Sequence, residues 1–304
     1  MRIGSVIDPL VSTPFLVAQE TGLFAKHNVP ASVKLFSSGA LIAPAITGKS
    51  LDMGATGGVP ATFLAGHQVD IKVIARICEV SWAYEIMAMP SAKITKPSDI
   101  TGKTVSMTYG TVSQYLILAF AQHWGIPLNS FKMVNLNGSD QVNALVTGKV
   151  DVASLWKPFT SKARESGAVT LETALKSDFP GRTGNVKLVG DPGVLFATSD
   201  FLSKNEATTV GLLQALYEAL QWAPKHEKET AQIVSKALNI TPEDAIQDLK
   251  PAEFSMQFDP DLINELHNEW DFLSKQGFIT GEFKQAFIDA KYMRRAVPSM
   301  VSVR

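Results

Sequence analysis

A segment of this 304-residue sequence occurs twice, and the repetition limits the folds that the chain can adopt. Residues 45–54 read AITGKSLDMG, and residues 144–153 read ALVTGKVDVA, with one residue's difference in spacing. A looser echo relates residues 11–19 to residues 112–122. Each copy predicts the same order of strand, polar loop, helix, strand, helix and short strand. We therefore expect two similar α/β lobes, and clefts between lobes commonly bind small ligands.

The composition is that of an ordinary globular protein, with 45% hydrophobic residues, 19% charged residues and a net charge of -1. The length suits two domains of average size. The chain lacks the surplus of Lys and Arg that nucleic-acid backbones require, so nucleic acid is not an expected partner. No apolar run approaches the ~20 residues of a membrane span. Residues 2–7 read as a strand rather than a signal peptide, and we expect that a signal has been removed.

Metal and disulfide chemistry is not expected from the sequence. The single cysteine, Cys78, lies in the apolar run 71–78 and is expected to be buried. The five histidines lack the spacing of a metal site. Residues 48–50 read GKS, but Ala43 stands where a phosphate-binding loop needs glycine. We therefore predict neither a metal nor a cofactor.

Turn and cap residues divide the doubled region into strands and helices. Strands are predicted at residues 2–7, 31–36, 51–55, 71–78, 84–89, 104–107, 131–136, 150–155, 186–189 and 194–198. Strands that alternate with helices indicate parallel sheets. The predicted fold class is α/β, a two-lobe arrangement of two parallel-rich sheets joined by two hinge strands. The rest of the chain is expected to be helical, including residues 208–222 with four leucines on one face.

Six helices are predicted to begin directly after strands, at the carboxyl ends of the sheets, where open α/β folds bind ligands. A helix start presents unpaired N–H groups and a partial positive charge, so several starts at one place favour an anion. The alternative interpretation is that these polar residues only cap their helices. The residues of these starts that we expect at the ligand are Ser12, Ser38, Gly39, Thr56, Gly57, Gly58, Thr111, Val112, Ser113, Gln141, Trp156 and Lys157.

Aromatic residues and one acid extend this set. Trp82, Tyr84 and Trp156 are expected to form an aromatic wall, and Glu85 begins a strand from which it would face a ligand cation. Lys157 lies beside Trp156 in an otherwise apolar segment. The competing interpretations are burial in the core for Trp156 and solvent exposure for Glu85.

Five segments carry a resemblance to a known family. The sequence reads SSGA at residues 37–40, TGGVP at 56–60, KPSDITGK at 96–103, HWGI at 123–126 and GKVD at 148–151. These segments resemble the substrate-binding proteins of ABC importers for taurine, alkanesulfonates and nitrate, and the taurine-binding branch is the most similar. The resemblance spans about residues 5–201. It implies two α/β lobes that close on one solute and then dock on a membrane permease.

The resemblance also implies roles for individual residues. Three segments match loops that hold a sulfonate: Ser38-Gly39, Gly57-Gly58 and Thr111-Val112-Ser113. Glu85 matches an acid near the ammonium of taurine, and Gln141 and Trp156 match positions in the cleft.

Two positions depart from the taurine-binding pattern. Gly193 stands where an acid is expected, with Asp191 two residues away and included among the expected ligand residues. Lys157 stands where a small residue is expected. The loss of an acid and the gain of a cation favour a sulfonate or a carboxylate without an ammonium group. Trp82 and Tyr84 would also allow an aromatic ring in the ligand.

We expect a discontinuous lobe one, residues 1–88 and 191–304, and a lobe two, residues 89–190. The lobes are expected to close by bending near residues 83–88 and 188–196. The predicted function is non-catalytic capture of a small organic anion for an ABC importer. We expect a periplasmic or lipid-anchored extracytoplasmic monomer, whose partners are the permease and ATPase of that importer.

Two other classes of protein share this architecture. An enzyme resembling the thiamin-pyrimidine synthases would need a cysteine-rich motif, and Cys78 is the only cysteine here. The effector-sensing half of a transcription regulator would need a helix-turn-helix ahead of the first strand, and that strand begins next to Met1.

Overall fold

A computed structural model, which describes residues 1–250 and 252–303, places one β-sheet in each of two units. Unit 1 comprises Met1–Glu79 and Asp191–Arg304, and unit 2 comprises Val80–Gly190. Residues 80–88, which the sequence analysis assigns to lobe one, fall in unit 2 in this division, because the strand they contain pairs only with strands of unit 2.

The first part of unit 1 alternates strands and helices. Its elements are β1 (Arg2–Val6), α1 (Pro9–Glu20), α2 (Leu23–Lys26), β2 (Ser32–Phe36), α3 (Ile42–Thr47), β3 (Met53–Gly57), α4 (Gly58–Gly66) and β4 (Ile71–Glu79).

Unit 2 follows the same alternation and then ends in three short strands. Its elements are β5 (Glu85–Ala88), β6 (Thr104–Met107), α5 (Val112–His123), β7 (Lys132–Asn135), α6 (Gly138–Val146), β8 (Val152–Leu155), α7 (Phe159–Glu165), β9 (Val169–Thr173), β10 (Lys176–Ser177) and β11 (Gly184–Asn185).

The chain then returns to unit 1 through a strand and a mainly helical tail. These elements are β12 (Pro192–Thr198), α8 (Ser199–Lys204), α9 (Glu206–Trp222), α10 (Glu227–Leu238), α11 (Pro242–Leu249), β13 (Glu253–Phe254), α12 (Pro260–Lys275) and α13 (Lys291–Ala296).

The two sheets share one local topology. In unit 1 the strand order is β13-β4-β12-β3-β1-β2, and in unit 2 it is β11-β10-β9-β5-β8-β6-β7. Three neighbouring strands are parallel in each sheet, namely β3-β1-β2 and β8-β6-β7. An antiparallel strand follows in each, β12 beside β3 and β5 beside β8. The predicted two-lobe α/β fold is confirmed.

The repeated segments form the same hydrogen bonds. Ala45 O accepts from the backbone N–H groups five and six residues later at 2.9 and 3.1 Å, and Ala144 O does so at 2.8 and 3.2 Å. The left-handed residue in each turn is Lys49 (φ 57°) or Gly148 (φ 69°). Lys49 therefore occupies the position of Gly148, so the apparent difference in spacing comes from the residues of the turn and not from its length.

Several predicted elements differ in the structure. The strand predicted at residues 186–189 does not form, and β9, β10 and β11 were not predicted. Asn137, and not the neighbouring Ser139, caps α6: its Oδ1 accepts from Asp140 N at 3.1 Å. Asn accepts from the N3 amide of a helix as readily as Ser does, so the composition of this loop does not distinguish the two positions.

The core of unit 1 forms between its sheet and its helices. α9 places the four predicted leucines inside, because Leu212, Leu213, Leu216 and Leu220 are all buried. Phe15 of α1 and Phe196 of β12 are also fully buried. Among the described residues, no helix combines the length and the apolar character needed to cross a bilayer.

Candidate functional site

Three parallel strands in unit 1 end at the same edge of the sheet, and the predicted ligand residues of that unit follow them. β1 pairs in parallel with both β2 and β3, so their carboxyl ends are neighbours. A Cβ atom built on Gly39 would lie 2.7 Å from Pro60 Cγ and 3.1 Å from Thr56 Cβ. The loop after β2 therefore packs directly against the start of α4, and only glycine fits at that contact.

Open hydrogen-bond donors occur in the loop after β2. Ser38 is extended and buried, and the 3₁₀ turn Gly39–Leu41 follows it. Across the described part of the chain, no acceptor is found for the Ser38 hydroxyl or for the N–H groups of Gly39 and Ala40. Successive unpaired N–H groups and a hydroxyl at one turn are suited to an oxyanion.

The N–H at the start of α4 is engaged by an acid of the protein itself. Gly58 N donates to Asp191 Oδ1 at 2.9 Å, and Asp191 is fully buried. A Cβ atom built on Gly57 would lie 2.3 Å from Asp191 Oδ2. The Thr56 hydroxyl donates to Gly57 O. The oxyanion beside these two glycines in this structure is thus the Asp191 carboxylate, and Gly58 has no free N–H for a ligand.

Asp191 lies against a second buried acid, Glu269 of α12. Both Glu269 oxygens would lie 2.7 Å from a Cβ atom on Gly58, and Thr62 Oγ1 donates to Glu269 Oε2 at 3.1 Å. Burial and the neighbouring Asp191 carboxylate raise the pKa of Glu269 well above its usual range. Two buried carboxylates in contact cannot both ionise, so the pair retains one proton at neutral pH.

Ser12 does not lie at a helix start, and that prediction is wrong. α1 begins at Pro9, because Asp8 caps it: Asp8 Oδ1 accepts from Leu10 N at 2.7 Å and from Val11 N at 3.1 Å. Ser12 is fully buried inside the helix, and its hydroxyl donates to Asp8 O at 2.6 Å. Burial raises the pKa of Asp8 to about 7, although its two N–H donors oppose the shift.

The carboxyl edge of unit 2 holds the second group of predicted residues. Thr111 caps α5, and its hydroxyl accepts from Ser113 N at 3.2 Å. The buried Ser113 hydroxyl donates to Ser154 O at 2.6 Å and accepts from Thr108 N at 3.1 Å. Ser113 therefore joins the helix start to β8. The Val112 N–H, in the first turn, has no acceptor in the described part of the chain.

Gln141 is fully buried beneath the same edge. With donors matched to acceptors, its side-chain nitrogen donates to Ser106 O and to Ser154 O at 3.0 Å each, and its oxygen accepts from Thr108 Oγ1 at 3.2 Å. These bonds join α6 to two strands, so the amide serves the packing of unit 2.

The segment after β8 is partly core. Trp156 is only 4% exposed, and its ring packs edge-to-face on Phe159 with centroids 5.2 Å apart. Lys157 is half-buried, and its Nζ donates to Ser161 Oγ at 3.1 Å. The competing interpretation, in which Trp156 is a core residue, therefore holds for most of the side chain.

Glu85 is buried and paired within unit 2. Arg164 Nη2 donates to Glu85 Oε2 at 2.6 Å, and the Thr170 hydroxyl donates to the same oxygen. A carboxylate held by a guanidinium and a hydroxyl is poorly placed to bind a ligand ammonium. The structure thus excludes solvent exposure for Glu85 and pairs it with the Arg164 guanidinium of the same unit.

Trp82 lies in the 3₁₀ turn Ser81–Ala83, directly before β5. The side chain is partly exposed, but its Nε1 is shut off from solvent. No acceptor for this N–H occurs in the described chain.

Sequence reasoning missed Asp8, Glu269 and Arg164. The Asp8-Pro9 pair is a local helix-start signal and could have identified Asp8. Glu269 and Arg164 meet their partners only through tertiary packing, and no local pattern marks them.

Comparisons with known proteins agree with this architecture. The family model described as NMT1/THI5 like matches residues 10–230. The taurine-binding periplasmic protein of Escherichia coli is 25% identical over 209 residues, which cover 68% of this chain and 62% of that protein.

Two solved structures share the fold. One is the alkanesulfonate-binding protein SsuA from Xanthomonas axonopodis pv. citri bound to MOPS (TM-score 0.78, 17% identity, 92% of this chain and 94% of that chain). The other is the periplasmic nitrate-binding protein NrtA from Synechocystis PCC 6803 (TM-score 0.78, 15% identity, 98% and 88%). The resemblance drawn from the sequence motifs is confirmed. The family model matches well over half of this chain, so the chain belongs to the NMT1/THI5-like family.

Proposed function

We propose that the protein is a non-catalytic solute-binding protein that captures a small organic anion for an ABC importer. The solute class is a sulfonate, such as taurine or an alkanesulfonate, or a carboxylate. Family membership and the names of the relatives support a binding role. The same argument supports an extracytoplasmic location and a membrane permease with its ATPase as partners.

The observation that carries the proposal is the set of open donors at the carboxyl edges. The open donors of unit 1 are the Ser38 hydroxyl and the N–H groups of Gly39 and Ala40, and that of unit 2, taken by itself, is the N–H of Val112. Donors without acceptors at the ligand-binding edge of α/β sheets are suited to an oxyanion. Because Gly58 donates to Asp191, we place the anion contact of unit 1 at Ser38, Gly39 and Ala40.

The pairing of the acids favours a solute without an ammonium group. Glu85 is paired with Arg164, and Asp191 accepts from Gly58 and lies against Glu269. Both acids that the sequence analysis places near a ligand are thus held inside their own units. A sulfonate or carboxylate with an uncharged tail therefore fits these residues better than taurine does.

The NMT1/THI5-like match also relates the chain to the enzyme alternative, but the structure does not support the cysteine chemistry that this alternative needs. Cys78 is fully buried, and burial raises the pKa of its thiol well above the usual range, so it is not a reactive thiolate. An absorbance band from an internal aldimine in the purified protein would revive this alternative.

Isothermal titration tests the proposal with ethanesulfonate, butanesulfonate, taurine and propanoate. We expect one site per chain and the tightest binding for an alkanesulfonate. Ser38→Ala should weaken that binding about fivefold to tenfold, because it removes one hydrogen bond to a charged group.

Ser12→Ala is the matched control. Ser12 is a buried serine that follows a strand at the same edge, but its hydroxyl already donates to Asp8 O, so affinity should not change. Absence of binding to all four anions would overturn the proposed function. Equal losses in the two variants would remove Ser38 from the contact.

A further inference from the structure

The start of β5 places Trp82 at the ligand edge of unit 2. β5 is antiparallel to β8, with Glu85 opposite Leu155. Residues that precede Glu85 therefore lie beside residues that follow Leu155, at the carboxyl end of β8. The Thr111–Val112 segment follows β6, which is parallel to β8 and ends at the same edge.

The indole N–H of Trp82 differs from other indole groups of the protein. Trp124 Nε1 donates to both carboxylate oxygens of Glu172 at 3.0 Å. Trp270 Nε1 donates to Gly281 O at 3.1 Å. Trp82 Nε1 is closed to solvent and has no acceptor in the part of the chain that the structure describes. Its ring is partly exposed, so the indole reaches the surface while its one polar atom does not.

An unpaired buried N–H is unfavourable. Leaving such a donor without an acceptor costs about 1–3 kcal/mol. The indole N–H can only donate, so the missing partner must be an acceptor. A ligand oxygen would offset the cost, whereas a ligand ammonium would not.

We infer that Trp82 Nε1 donates a hydrogen bond to an anionic oxygen of the bound solute. Trp82 is then a polar contact of the site rather than part of an aromatic wall. The open Val112 N–H at the same edge is a second donor of the same kind. Glu85, three residues along the chain, does not compete for the indole, because Arg164 and Thr170 hold its carboxylate. The inference rests on the proposed function and assigns unit 2 a side-chain donor.

Trp82→Phe tests the inference, because it keeps an aromatic ring and removes the N–H. Titration with ethanesulfonate and butanesulfonate should show affinity reduced about tenfold relative to the wild type. Trp124→Phe is the matched control, since it removes an indole N–H that already has the Glu172 carboxylate as its partner. That variant should keep the wild-type affinity and lose thermal stability.

A spectroscopic measurement on the wild-type protein does not depend on any variant folding. The chain has five tryptophans, so a ¹H–¹⁵N spectrum should contain five indole signals. The signal that is missing from Trp82→Phe should move downfield when ethanesulfonate is added. A merely structural tryptophan would not respond in this way.

The outcomes separate this inference from the proposed function. If the wild type binds a sulfonate but Trp82→Phe binds it within twofold, or the indole signal stays in place, the inference is wrong and the proposed function survives. If the wild type binds none of the anions, both the inference and the proposed function are wrong.

Discussion

The carboxyl edges of the two sheets have the same topology but different chemistry. In unit 1 the edge is occupied by buried acids, with Asp8 at the start of α1 and the Asp191–Glu269 pair at the start of α4. In unit 2 the corresponding edge is tied together by uncharged groups, with Thr111 and Ser113 at the start of α5. A repeated backbone therefore does not repeat the charge around a site.

This difference decides which donors stay open. The acids of unit 1 take the N–H groups at the starts of α1 and α4, so the loop after β2 keeps the free donors of that unit. In unit 2 the hydroxyls of Thr111 and Ser113 bond to nearby backbone groups, and the Val112 N–H and the Trp82 indole N–H keep no acceptor in the described chain. The open donors thus belong to a turn in unit 1, and to a helix start and an indole in unit 2.

The largest effect should come from crowding the acid pair of unit 1. A side chain at residue 57 would meet Asp191, because even a Cβ atom would lie 2.3 Å from Asp191 Oδ2. Gly57→Val should lower the free energy of unfolding by about 3 kcal/mol, measured by urea denaturation. Gly125→Ala in unit 2 is the control, because its Cβ would meet nothing within 4 Å and the left-handed backbone alone should cost about 1 kcal/mol. Similar losses in both variants would contradict the crowding of the pair.

The next difference between the two edges should be in how the free energy of unfolding depends on pH. The folded pKa of Asp8 is raised to about 7, and that of Glu269 is raised well above its usual range. Folding therefore retains protons that the unfolded chain releases above pH 4, so the free energy of unfolding should fall as pH rises from 5 to 7. Each proton retained on folding contributes a slope of about 1.4 kcal/mol per pH unit.

Variants assign that slope to its sources. Asp8→Asn and Glu269→Gln should each flatten it, because neither replacement titrates. Burial also raises the pKa of Glu172, in unit 2, to about 7, so this residue is a third source of the slope. Glu172→Gln should remove its contribution. A stability that rises with pH over this range would contradict the assignment of retained protons.

Ser113 and Ser38 should behave in opposite ways. Ser113→Ala removes a hydroxyl with two backbone partners, and should lower the free energy of unfolding by about 1–2 kcal/mol. Ser38→Ala should leave stability within about 0.5 kcal/mol, because its hydroxyl has no partner in the described chain. Thermal melts of both variants make the comparison. A stability loss in Ser38→Ala as large as that in Ser113→Ala would show that the two hydroxyls contribute equally to stability.

The smallest effect concerns the repeated turn. Lys49 adopts the left-handed conformation that Gly148 adopts at the matching position. Lys49→Gly should stabilise the protein by about 0.5 kcal/mol, because glycine relieves most of the left-handed strain at some cost in chain entropy. Chemical denaturation with Lys49→Ala as control should show the gain for glycine only. A loss of stability in Lys49→Gly would mean that the two turns are not equivalent.

Much of the fold was predictable from local patterns. Strand and helix alternation, the repeat and the cap at Thr111 lie within short windows of sequence, and hydrophobic periodicity is a local signal. The start of α1 differs from the predicted start at Ser12, because the helix begins upstream at Pro9, where Asp8 caps two N–H groups. The loops beside the sheets were placed correctly because parallel strands end at one edge.

The sequence by itself determined the two-lobe α/β architecture, the family and the loops that line the carboxyl edges. Only the tertiary structure decided which groups in those loops are free. Arg164 reaches Glu85 from a helix, and Glu269 reaches Asp191 from the C-terminal part of the chain, far from it in sequence. Whether a donor or an acid is available depends on such partners, because a hydrogen bond or an ion pair is a contact in space and leaves no mark in the local pattern.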